Sequence, residues 1–321
     1  MRAFRTVPTF PWISALLALV ALLALAGCGG ASSASAVAAK PALSTDALGS
    51  AITIPTHAPQ RIITETPADS ELVGAVGASA GVVAVDFYTD TPSDLASKPK
   101  ITDGQTFNLN DEAILGYKPD LVLGYGGYFK ADEQKLMTAG ITVVDLPIVA
   151  TVEQSLTELK LVGQLVHADA KAAQVIAALQ RRIDAVRQKT ANASAVSIYM
   201  DDGAVGAQYS TFGKGSYDDE VIRYAGGTNI FAGDSDLGGY PEVSAESIIK
   251  ANPQVIVTVE GAQYGGDPKT IAARPGWSVI AAVQNNRVYA MDANNFSRPD
   301  APRLVTALED LAKALHPELF A

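Results

Sequence analysis

The sequence predicts an α/β protein of two similar lobes, each built on a central parallel sheet, joined by one long backbone helix. Three observations carry this. Residues 109–127 lie on residues 243–261 without a gap. A second pair of segments, 69–77 and 218–226, matches in the same order. Between the halves, residues 171–189 contain no Gly or Pro and repeat apolar side chains at helical spacing.

The chain opens on a leader. Arg2 and Arg5 precede an uncharged apolar stretch from Ile13 to Ala26, and Leu25-Ala26-Gly27-Cys28 sets small residues before the sole cysteine. That layout is a signal peptide, and the stretch is too short for a hydrocarbon core of about 30 Å. The order resembles a bacterial lipobox, so residues 1–27 are expected to be removed and Cys28 to carry the lipid that holds the protein at the membrane. Residues 28–49 read as a flexible tether, small and featureless over GGASSASAVAAK. The chain from residue 50 onward is long enough for two lobes, and with one cysteine no disulfide can staple them. The formal charge of −10 becomes −12 once residues 1–27, with two Arg and no acid, are gone. An acidic chain without a basic cluster is a poor partner for nucleic acid.

In the first repeat, Asn110 and Ser244 are helix N-caps, Ile114 and Ile248 face a core, and Pro119 and Pro253 end the helices. Leu121-Val-Leu123 and Val255-Ile-Val257 then read as short strands buried on both faces, as parallel sheets require. In the second repeat, Asp69 and Asp218 open helices that close at Gly77 and Gly226. The lobes span 50–150 and 193–321. The connecting segment, 151–192, holds the backbone helix at about 171–189, with Val175, Ile176, Leu179, Ile183 and Val186 on one stripe. At 1.5 Å per residue it reaches about 28 Å, a stiff strut that limits hinge closure.

With these pieces in order, the chain resembles the ABC-importer binding proteins that carry vitamin B12 and ferric siderophores, two lobes on a backbone helix. The resemblance runs from about residue 50 to the end. It rests on Pro59-Gln-Arg-Ile-Ile63, Pro67 to Gly77, Asn110 to Gly124, Ala225 to Ile230, Tyr240 to Glu246, Arg274-Pro-Gly-Trp277, Arg298 to Arg303 and Leu315-His-Pro317.

The resemblance implies a non-enzymatic, extracytoplasmic, lipid-anchored receptor that hands a metal chelate to an ABC permease dimer and its ATPase. It is expected to act as a monomer, with no cofactor of its own. Glu112 and Glu246 fall where relatives present one carboxylate per lobe to permease arginines. From the residues alone each equally complements a helix dipole, an effect of about 0.3–1 kcal/mol. Ligand contacts are expected from Tyr88, Tyr125, Tyr240, Tyr209, Phe212, Phe296 and Arg298. Aromatic rings give large contact area to a flat macrocycle, and Tyr adds a hydroxyl for its edge. Relatives that bind B12 often place Trp in the loop 102–108, where this chain has Thr106 and Phe107. The preponderance of uncharged Tyr over cations favours a corrinoid over an anionic siderophore. Haem, with Tyr125 or Tyr88 as axial ligand, is a third reading, and a non-transport solute receptor a fourth.

Other chemistries fit less well. Gly77-Ala-Ser-Ala-Gly81 spells a nucleophile elbow, but a helix precedes it and a strand follows, the reverse of what a secreted hydrolase needs. His57, His167 and His316 are too dispersed for a metal site.

Overall fold

The computed structural model describes residues 41–106, 108–206, 208–298 and 300–321. The leader, Cys28 and Phe107 lie outside these residues. Strands and helices alternate in the N-terminal lobe: β1 (Ile62–Thr64), α1 (Pro67–Ala75), β2 (Val82–Val85), α2 (Ser93–Ala96), α3 (Asp111–Tyr117), β3 (Leu121–Tyr125), α4 (Lys130–Thr138) and β4 (Val143–Leu146). Their sheet runs β2-β1-β3-β4, parallel throughout. Two helices come next, α5 (Val152–Leu165) and α6 (Asp169–Thr190). The C-terminal lobe begins with β5 (Val196–Val205), β6 (Gln208–Thr211), α7 (Tyr217–Tyr224), β7 (Gly227–Asn229), β8 (Glu242–Val243), α8 (Ala245–Ala251) and β9 (Val255–Thr258). It ends with α9 (Pro268–Ala272), α10 (Ala281–Gln284), β10 (Val288–Ala290), α11 (Ala293–Ser297) and α12 (Ala301–Leu315).

The repeat is visible in the backbone. Asn110 Oδ1 accepts the Ala113 N–H at 2.9 Å, and Ser244 Oγ accepts the Ser247 N–H at 3.1 Å. Both seven-residue helices then stop in the left-handed region, Lys118 at φ 47° and Asn252 at φ 48°, one residue before a proline. A residue before Pro is pushed out of the right-handed helix, so the two stops share one cause.

The second sheet has the expected parallel centre, β10-β9-β5 with β7 on β5, and extends it on one side with antiparallel strands. Its order is β10-β9-β5-β6-β8, with β7 also on β5, and both β5–β6 and β6–β8 are antiparallel. The reason is length: β5 has ten residues, and its parallel partner β9 covers only Ile198 to Asp201. The surplus end of β5 folds back into a hairpin.

Alternation along the central strands assigns their two faces. Leu121 and Leu123 point into one core, and Val122 points into another. Val255 and Val257 share that first core, while Ile256 joins a separate cluster around Trp277. Ile198, Met200 and Tyr199 repeat the pattern. Each sheet therefore has its own outer core, and the inner faces of both rest on a shared one that includes α5, α6 and α12.

The strut is longer than expected, 22 residues or about 33 Å, and it is not alone. Helix α5 buries most of its length, and α12 packs on both α5 and α6. The lobes thus sit on a three-helix layer.

Residues 41–49, read as tether, are folded. The Ala42 N–H donates to Gln164 Oε1 at 2.6 Å, and the Ala47 N–H donates to Asp145 O at 2.8 Å. Thr45 and Ala51 pair antiparallel, and Ile52 is buried. The segment caps the edge strand β4, whose free backbone groups need partners.

Candidate functional site

The strand ends of both lobes meet at a cleft. After β3 the chain reads Tyr125-Gly-Gly-Tyr128, with Gly126 and Gly127 at φ 67° and 72°. Only glycine takes two such steps without strain. A Cβ on Gly126 would also press on Ile148 at 2.9 Å. The Gly127 N–H donates to Asp145 Oδ2 at 2.8 Å, which fixes the turn. The turn sets Tyr128, 70% exposed, over Tyr125, 9% exposed, with ring centroids 6.2 Å apart and 27° between planes. The Tyr125 hydroxyl accepts the Val149 N–H at 3.0 Å, and burial pushes its pKa up.

The opposite wall comes from the C-terminal lobe. Phe212, next after β6, meets Tyr240 edge-on at 5.8 Å. Burial, with the nearby Asp218 carboxyl second, pushes the Tyr240 hydroxyl up to about 12. Tyr217, Val259, Ala293, Phe296 and Ser297 complete that wall. Together with Tyr125, Tyr128 and Ile148 they enclose a cavity of about 290 Å³. Asp202 also lines it, its pKa pushed up to about 6 by burial and then by Glu260. A second cavity of about 450 Å³ shares Tyr128 and is lined by Tyr88, Phe129, Glu65, Asp86 and Asp132 among others. No Lys, Arg or His among the described residues lines either cavity.

Of the residues expected at the ligand, Tyr125, Tyr240, Phe212 and Phe296 come together in the first cavity, and Tyr88 lines the second. The Tyr88 hydroxyl donates to Gly104 O at 2.7 Å. Two residues are elsewhere. Tyr209 sits on β6 three places before Phe212, and an odd spacing on a strand reverses the face. Its ring packs instead on Trp277 at 5.3 Å, with the Arg274 guanidinium 4.5 Å from its centroid. Arg298 is held by acids of the other lobe, Glu71 Oε1 at 2.9 Å and Asp90 Oδ1 at 2.7 Å.

Tyr128, Tyr217 and Asp202 were not anticipated. The twin tyrosines flanking Gly-Gly were the available signal for the first. Tyr217 and Asp202 carry no motif.

Beneath the Tyr125–Tyr128 turn lie three buried carboxyls, Glu65, Glu133 and Asp145. Gly124 leaves room for the Glu133 carboxyl. Burial, then Asp145, pushes Glu133 up to about 8, and burial, then Glu133, raises Glu65. Among the described residues no group of three His, Cys, Asp or Glu side chains is placed to hold a metal ion. Glu112 and Glu246 are exposed, each the second residue of its helix.

Residues 62–295 match the model of the periplasmic binding protein family. The chain belongs to that family. It is a solute receptor of the space outside the cytoplasm, not an enzyme. Among the described residues no helix is long and apolar enough to cross a membrane. An uncharacterised ABC transporter substrate-binding lipoprotein of Bacillus subtilis is 29% identical over 286 residues, covering 87% of each chain. A vitamin B12-binding protein of Vibrio cholerae is 30% identical over 265 residues, covering 80% of this chain and 89% of the other. The crystal structure of the periplasmic vitamin B12-binding protein of Vibrio cholerae superposes with a TM-score of 0.67 at 26% identity. It covers 81% of this chain and 97% of that one.

Proposed function

We propose that this protein binds a corrinoid between its lobes and delivers it to an ABC importer, tethered to the membrane through lipidated Cys28. The observation that carries the ligand class is the lining of the cleft: tyrosine and phenylalanine rings, several carboxyls and no basic side chain among the described residues. Anionic ferric siderophores and the propionates of haem call for cations at their edges, and a buried anion without one is costly. A corrinoid presents a flat face for the rings and neutral amides around its rim. Tyrosine hydroxyls and Asp202 can accept hydrogen bonds from those amides. The Vibrio relative is named for vitamin B12, and the Bacillus relative for a lipoprotein of an ABC transporter. The metal arrives inside the ligand, and the protein needs no cofactor of its own.

In this reading the protein works as a monomer that docks on a permease dimer, with Glu112 and Glu246 meeting permease arginines. The repeat places both carboxylates on matching exposed helix starts. Titrating intrinsic fluorescence with cyanocobalamin, a ferric catecholate, a ferric hydroxamate and haem tests the assignment. Saturable one-to-one quenching, tightest for cyanocobalamin, is expected. Tighter binding of either ferric siderophore or of haem refutes the corrinoid reading.

A further inference from the structure

Arg298 reaches across to the N-terminal lobe, where its guanidinium shares the buried Glu71 carboxylate with Arg303. Side-chain exposures are 7% for Glu71, 12% for Arg298 and 14% for Arg303. Each oxygen of Glu71 takes one arginine: Oε1 accepts from Arg298 Nη1 at 2.9 Å, and Oε2 accepts from Arg303 Nε. The remaining donors grip chain on both sides of the cleft. Arg298 Nη1 also meets Asp90 Oδ1 at 2.7 Å, and Arg303 Nη2 donates to Thr91 Oγ1 at 3.1 Å. Arg303 Nη1 reaches Asn295 Oδ1 at 3.4 Å, inside α11.

The cluster therefore joins α1, the loop 86–92 and the segment from α11 to α12. Two of these pieces carry cavity walls. Tyr88 belongs to the loop, while Phe296 and Ser297 belong to α11. Helix α11 has five residues, too few to hold its shape unaided. A buried ion cluster is a poor source of stability, since apolar packing of equal volume does as well or better. Its geometric specificity is what apolar packing lacks.

We infer that Glu71, Arg298 and Arg303 form an inter-lobe clamp, positioning residues that hold the two cavity walls in register and so set ligand affinity without touching the ligand. The affinity part rests on reading the cleft as the binding site; the clamp itself does not.

Hydrogen exchange on the ligand-free protein tests the clamp directly. In Arg298→Gln and Glu71→Gln, amides in 86–91 and 293–298 should exchange roughly tenfold faster, while those of β5 and β9 keep wild-type rates. Asp90→Ala, at a site 55% exposed, should change the same amides less than about threefold. Affinity is then measured for whichever of cyanocobalamin, ferric catecholate, ferric hydroxamate and haem the wild type binds tightest. A roughly tenfold weaker dissociation constant is expected for both Gln variants. Should a Gln variant exchange faster everywhere, Arg298→Lys keeps the charge but loses the fork geometry. It should show the local acceleration alone. Wild-type protection of 293–298 in Arg298→Gln or Arg298→Lys overturns the clamp. Accelerated exchange with unchanged affinity overturns its positioning role. Failure of cyanocobalamin to be the preferred chelate sinks the corrinoid reading and leaves the exchange result to decide the clamp.

Discussion

Truncating Tyr128 separates binding from folding more cleanly than any other change in the cleft. The residue is 70% exposed, yet it lines both cavities and stacks on Tyr125. A tyrosine carries about 200 Å² of surface, so roughly 140 Å² waits to be covered by a ligand. At about 25 cal/mol per Å² that area is worth up to ~3.5 kcal/mol on binding. Ordering of the ring and imperfect pairing of its hydroxyl reduce the figure to the ~2 kcal/mol typical of an aromatic anchor, roughly 30-fold in affinity. The buried remainder, about 60 Å², bounds the folding cost at ~1.5 kcal/mol, a few degrees in melting temperature for a domain of this size. Tyr125→Ala should behave differently. Its ring is buried and its hydroxyl holds the Val149 N–H, so its loss should cost ~3 kcal/mol or more in stability. The assay pairs fluorescence titration of the tightest chelate with thermal melts of Tyr128→Ala and Tyr125→Ala. An affinity for Tyr128→Ala within threefold of wild type would refute the cleft assignment. So would a melting loss as large as that of Tyr125→Ala.

Cys28→Ala should abolish incorporation of alkyne palmitate in a native-like host and release unlipidated protein or leave the precursor uncleaved; a mutant that still labels contradicts the anchor. Glu112→Lys with Glu246→Lys should keep the ligand dissociation constant and abolish stimulation of the cognate importer's ATPase in proteoliposomes, because exposed charges set docking rate and register. Normal uptake by that variant leaves the two acids as helix-dipole partners only. Glu133, pushed up to about 8 by burial and Asp145, binds a proton in the fold that it lacks when unfolded. Its contribution is therefore full below the ordinary carboxyl range and is lost as pH rises toward 8, at up to about 1.4 kcal/mol per pH unit. Melting temperature should rise more steeply from pH 7.5 to 5.5 in wild type than in Glu133→Gln, and parallel profiles would sink the claim.

What the sequence made legible is the part of the fold written in local rules. The caps at Asn110 and Ser244, the stops at Lys118 and Asn252 and the buried strands after them come from cap chemistry, proline sterics and apolar runs, each within about twenty residues. The tyrosines flanking Gly126-Gly127 could have been read in the same way, because two glycines after a strand announce a turn that aims its neighbours. Where the sequence misled, the deciding partner was distant or the parity was hidden. Tyr209 and Phe212 lie three apart, and without knowing where β6 begins nothing says which of them faces the cleft. Residues 41–49 look like linker until the open edge of β4 gives their backbone something to bond.

Arg298 marks the limit most sharply, because what it does is set by a residue 227 positions away. A lone arginine near a presumed ligand loop reads as a ligand contact. Only the fold brings Glu71 and Asp90 to it and turns its charge inward. That redirection also decides the chemistry of the cleft. With Arg298 and Arg303 committed to Glu71, the walls of these two cavities are left with phenols, phenyl rings and carboxyls, and among the described residues no cation lines either. The same contacts that hold the lobes in register thus remove the one cation the sequence offered to an anionic ligand. Rigidity and ligand charge are set by a single buried cluster. Loosening the cluster by Glu71→Gln should therefore weaken binding of whichever chelate the wild type prefers, because the walls lose their register while Arg298 still faces Asp90.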